Sequence, residues 1–169
     1  MFLKYPATIL SFFIISALQA SYLPFSRSPM GSLNLVFITF ILLVFFKGIN
    51  NDNYGFFLVI TAGFFTDIFS NFYFGSAILA FLALFFSIKY FFYFLKEARV
   101  NYSIAYFSIV FSASFILYGI FLKVISTGPA LSYGFLANFL YNLSVACLGF
   151  YIFLFFGKII KQNRQLKLV

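Results

Sequence analysis

Six apolar runs, cut apart by short polar connections, leave this chain almost nothing to present to water. They cover about residues 6–23, 32–46, 54–69, 75–95, 102–122 and 131–156. Pro24 and Ser26-Arg27-Ser28-Pro29 close the first run, Lys47-Gly48 and Asn50-Asn51-Asp52-Asn53 the second, and Gly128-Pro129 precedes the sixth. Hydrophobic residues make up 64% of the chain and charged residues 8%, against about 25% charge in soluble proteins. The expectation is an all-α polytopic membrane protein: a single bundle of six transmembrane helices with no extramembrane domain. The third run has 16 residues, short against the roughly 20 that span a hydrocarbon core. The first run lacks an A-x-A-like cleavage site and is followed by five more, so it reads as a retained helix and not a signal peptide.

Charge placement gives the orientation. With both ends on one side, that side holds Lys4, Lys47, Lys89, Lys96, Arg99, Lys158, Lys161, Arg164 and Lys167, and the other holds Arg27 and Lys123. Nine against two, of eleven basic residues, is a positive-inside bias that places both termini in the cytoplasm and requires an even number of spans. Lys89 is the awkward member, inside the fourth run, where it would have to snorkel. The net charge of +8 follows from the same bias and points to anionic lipid headgroups, not nucleic acid. Lys158-x-x-Lys161-x-x-Arg164-x-x-Lys167 reads as a juxtamembrane anchor, with a docking site for a cytoplasmic partner as the other reading.

Enzyme chemistry finds no footing. There is no histidine, so the commonest proton shuttle and metal ligand is missing. Cys147 is the only cysteine and sits among apolar neighbours. The three acids, Asp52, Asp67 and Glu97, are too far apart in sequence to suggest a carboxylate dyad, and no Gly-rich phosphate loop is present. The sequence therefore implies no catalytic residue, no cofactor and no metal.

Asp67 is the exception to an apolar interior. A carboxylate at bilayer depth costs roughly 2.5–3.5 kcal/mol on insertion scales. Gly63, Asp67 and Ser70 fall at i, i+4 and i+7 on one helical face, and Gly63 lets a neighbouring backbone approach. Gly75 suits the turn into the next helix. Three readings follow: Asp67 satisfies backbone N–H groups at a tight turn or bonds a facing side chain; it pins helices or a partner; or it belongs to an ion relay, with Lys89 as the other ionisable group. The first is preferred. Gln19 and Asn34 are lone polar residues that could partner Asp67. In the sixth run Gly134, Asn138, Asn142, Val145 and Gly149 form a polar stripe with Tyr141 beside it, preferred as a packing seam over a substrate groove.

Gly63-x-x-x-Asp67-x-x-Ser70-x-x-x-x-Gly75 resembles the signature of the MreD family of bacterial rod-shape-determining membrane proteins. Gln19, Asn34, Asn142 and the basic tail extend the resemblance over nearly the whole chain; one departure is Leu33, where the family has proline. The resemblance implies a non-enzymatic scaffold of the elongasome in the bacterial inner membrane that associates with MreC, a periplasmic coiled-coil protein, and through it with MreB, RodA and a class B penicillin-binding transpeptidase. The family is also similar in fold to substrate-binding subunits of energy-coupling-factor transporters. The alternative is thus a small-molecule binder with a pocket lined by Tyr133, Asn138 and Tyr141.

Overall fold

The computed structural model describes residues 4–22, 33–49, 51–69, 73–97, 104–125 and 135–166. They form helices α1 (Lys4–Tyr22), α2 (Leu35–Leu43), α3 (Asp52–Phe69), α4 (Ser76–Glu97), α5 (Ile104–Ile125) and α6 (Phe135–Leu166), with no strand among the described residues. Three stretches are long and apolar enough to cross a membrane: Ser76–Phe94, Ile104–Phe121 and Phe135–Phe155. Tyr5–Ser21 and Leu35–Gly48 are apolar but shorter. The third helix has 18 residues but carries Asp52, Asn53 and Asp67.

The apolar runs of the sequence coincide with these helices to within a few residues, except at two ends. α2 runs on into a π-helical turn over Val44–Gly48, closed by Ile49 N–H donating to Val44 O at 3.0 Å. α6 continues ten residues past the apolar run, to Leu166. Its last segment is rich in Lys, Gln, Ile, Arg and Leu, so the apolar pattern ends where helix-favouring composition does not.

α2 is the axis of the bundle. It is apolar on every side, the pattern of a helix surrounded by others, and Val36, Phe37, Ile38 and every residue from Phe40 to Phe45 are buried. It packs on α1, α3 and α6. Rings bring in the other two helices: Phe40 meets Phe81 of α4 at 4.6 Å, and Phe37 meets Phe111 and Tyr118 of α5 at 5.5 and 5.0 Å. Around it α1, α3, α4, α5 and α6 follow one another in contact. Tilted and edge-on ring pairs of this kind add about 0.5–1.5 kcal/mol each beyond the area they bury.

The outer surface is as apolar as the interior. Ile60, Leu79, Tyr90, Ile109, Leu136 and Leu148 are all more than half exposed. A water-soluble monomer rarely shows apolar patches beyond a few hundred Å², so this surface suits lipid.

Within lipid, helices associate by close packing and not by burying oil from water. The tightest approach is between α3 and α4. A Cβ at Gly63 would lie 2.5 Å from Ile78 Cα and 2.8 Å from its backbone N, so the two backbones are in contact there. At Gly55 a Cβ would run into the Phe85 ring. Overpacking of this kind costs about 1–3 kcal/mol. Gly63→Ala should therefore lower the stability of the purified protein by about that amount, read as a fall in its unfolding midpoint in detergent.

Candidate functional site

Polar side chains gather at the end of the bundle where α1, α3 and α5 finish and α2, α4 and α6 begin. Asp67, in the last turn of α3, is 95% buried. Its Oδ2 accepts the Gly75 N–H at 2.8 Å, and its Oδ1 accepts the Ala77 N–H at 2.9 Å and the Ser76 hydroxyl at 3.4 Å. These donors belong to the start of α4. Gly75 is the residue whose carbonyl takes the first helical bond, from Leu79 N–H at 3.1 Å. A cap residue there normally supplies its own side-chain oxygen. Gly75 has none, and its φ of +93° is one that L side chains rarely adopt. Asp67 supplies the missing oxygen from the preceding helix. A negative charge at a helix N-terminus also meets the positive end of the helix dipole.

The start of α2 is capped in a similar way by three helices. Asn34 caps its own helix, its Oδ1 accepting the Phe37 N–H at 3.0 Å. Gln19 of α1 reaches the Val36 N–H through Oε1 at 3.2 Å, and Asn142 of α6 accepts the Asn34 N–H through Oδ1 at 2.8 Å. Asn142 is itself held by a bond from Nδ2 to the Asn138 carbonyl at 2.8 Å. Three N–H groups that α2 cannot satisfy internally thus find side-chain acceptors. Tyr118 of α5 is buried beside the start of α2, its ring centre 5.0 Å from that of Phe37.

Gln19 and Asn34 are not the partners of Asp67. Their acceptor oxygens are taken by the start of α2, whereas the bonds of Asp67 among the described residues run to Gly75, Ser76 and Ala77 at the start of α4. Ser70 and Gly134 lie outside the described residues. The α6 stripe turns towards α2: Asn142 is buried, and a Cβ at Gly149 would meet Leu42 Cδ1 at 2.7 Å. Asn138 Oδ1 is buried in this seam with no hydrogen-bond partner among the described residues. Tyr141 is half exposed on the outside of α6, and Tyr133 lies outside the described residues. An apolar groove of about 410 Å³ runs between α4 and α5 at Phe86, Tyr90, Ala113 and Leu117, away from both clusters.

Lys89 belongs to the opposite end. Its Nζ lies 2.8 Å from Asp52 Oδ2, both side chains about half exposed. An exposed pair of this kind contributes at most about 1 kcal/mol. Lys89 stands thirteen residues along α4 from Ser76, about 20 Å, so it cannot exchange a proton directly with Asp67. The sequence held the signal for this pair. Gly63 lies against Ile78; eleven residues down α3 and eleven up α4, an antiparallel pair of helices sets Asp52 against Lys89. Two further contacts at that end escaped sequence reasoning. Thr8 Oγ1 and Tyr54 Oη are 3.0 Å apart, and Asn51 Oδ1 accepts the Tyr54 N–H at 3.2 Å to cap α3.

The chain matches no protein-family profile, no curated protein and no solved structure. The clusters are therefore tested on their own geometry. Asp67→Ala leaves the Gly75 and Ala77 N–H groups without an acceptor, and should cost about 2–4 kcal/mol; Asp67→Asn keeps an acceptor without the charge and should cost about half as much. Asn142→Ala frees the Asn34 N–H and should cost about 1–3 kcal/mol. Equilibrium unfolding in mixed micelles measures all three.

Proposed function

We propose that this chain is a non-enzymatic scaffold of the bacterial elongasome, an MreD-like protein with six spans and both termini in the cytoplasm. In this reading it binds an MreC-like periplasmic protein and, with it, the wall-synthesis complex of MreB, RodA and a class B transpeptidase. One observation carries the reading. The polar residues of the MreD-like pattern act as clamps between helices: Gln19, Asn34 and Asn142 hold the start of α2, and Asp67 holds the start of α4. Polar groups used in this way fix a shape, which is what a scaffold offers its partners.

The apolar outer surface and the positive-inside bias favour the inner membrane. The clamped end is then the periplasmic end, where a periplasmic coiled-coil partner would arrive. Depleting the protein in its rod-shaped host should round the cells and delocalise new wall insertion. Unchanged rods with unchanged insertion would overturn the proposal, as would a small molecule found tightly bound to the purified protein by native mass spectrometry.

A further inference from the structure

The spacing of α4 and α5 is set by aromatic rings on either side of their middle. Phe81 of α4 meets Tyr118 of α5 at 5.6 Å between ring centres, and Phe92 meets Tyr106 at 5.8 Å. Between these contacts the gap is lined by small residues, Ser87 on α4 and Ala113 and Ser114 on α5. Small residues usually let membrane helices close on one another. Here the ring contacts hold the two helices apart, and the missing side-chain volume remains as the groove of about 410 Å³. Ile88, Val110 and Ser114 form its buried floor, and the exposed rings of Phe86 and Tyr90 stand at its rim.

The groove lies near mid-depth. Ser87 is eleven residues, about 16 Å, from Ser76, in an apolar stretch that runs about 27 Å to Phe94. Ser114 is ten residues, about 15 Å, from Ile104, in a stretch of about 26 Å that ends at Phe121. At that depth a bilayer offers the ends of its hydrocarbon chains and no headgroup.

Lining atoms without neighbours forfeit their dispersion contacts, so a groove of this size favours whatever can fill it. Water fills it badly. A buried water needs 2–4 polar partners, and the Ser87 hydroxyl is already given to the Ala83 carbonyl at 2.8 Å. A protein partner also fits badly: a stable interface takes about 20–30 residues a side, and nine line this groove. No charged residue lines it, and Lys89, beside it on α4, is turned to Asp52. An uncharged chain of hydrocarbon meets each of these conditions. At about 30 Å³ for each water-sized group, the groove takes roughly a dozen methylenes. We propose that the α4–α5 groove is a binding site for the terminal segment of a phospholipid acyl chain. The inference rests on α4 and α5 spanning the membrane and not on any role in cell shape.

The test uses the full chain, purified in an uncharged detergent. A phosphatidylcholine with a photoactivatable diazirine at the end of one palmitoyl chain is titrated into the micelles. Cross-linked peptides are then located by mass spectrometry. Label on residues 86–91 and 110–117 should saturate at about one probe per chain, whereas label around Leu148, on the outer face of α6, should rise in proportion to the probe. Dipalmitoyl phosphatidylcholine should compete for the groove label; the dihexanoyl lipid, with chains too short for mid-depth, should not. Ala113→Phe fills the groove from α5 and Ser87→Leu fills it from α4. Each should remove the groove label and leave that at Leu148 intact. Groove label that rises without saturating would overturn the site, as would label persisting at the wild-type level in either folded variant. An unlabelled groove in protein that migrates as a dimer would also overturn it, and would assign the groove to a second copy of the chain.

Discussion

A backbone N–H that opens a helix inside an apolar bundle has no water to turn to, and this constraint organises the structure. An unpaired buried donor costs several kcal/mol in lipid, more than most side-chain contacts return. α2 and α4 both begin with such donors, and neither relies on its own first turn alone. α4 begins with Gly75, which offers no cap, and takes its acceptors from Asp67 on α3. α2 has Asn34 as a cap for the Phe37 N–H but draws on Gln19 for the Val36 N–H and on Asn142 for the Asn34 N–H. Each solution ties a helix start to a different helix. The same bonds that remove unpaired donors therefore fix which helices are neighbours.

The cost of Asp67 can be weighed on the same scale. Inserting its carboxylate costs roughly 2.5–3.5 kcal/mol. Two backbone bonds to a charged acceptor return about 1.5–3 kcal/mol each, and the favourable helix dipole adds to this. The carboxylate thus offsets its own insertion, and its removal takes from the Gly75 and Ala77 N–H groups the acceptor they have here. The Gly63 contact makes this possible, because only bare backbone lets α4 come close enough for its first turn to meet the last turn of α3.

What the sequence disclosed and what it withheld divide along physical lines. Helix existence was legible because apolar runs and polar breaks alternate so plainly. Asp67 and Gly63 stood out because a charge and a missing side chain one turn apart are unusual in an apolar run. The acceptors' targets were not legible. Gln19, Asn34 and Asn142 are far apart in sequence, and nothing local says that all three converge on the start of α2. The π-helical turn at Val44–Gly48 left no mark either, since Phe45, Phe46 and Gly48 fit an α-helix as readily. The reach of α6 past Phe156 was not legible, because hydrophobicity falls away there while the helix runs on to Leu166. The Asp52–Lys89 pair was within reach of simple hairpin register.

The central claim is that Asp67 is the N-terminal cap of α4, donated by α3. Site-resolved amide hydrogen exchange of the full chain in micelles tests it most directly. In the wild type the Gly75 and Ala77 amides should exchange at least about tenfold more slowly than in Asp67→Ala, as charge-assisted bonds of about 1.5–3 kcal/mol require. Equal exchange at those two amides in both proteins would contradict it.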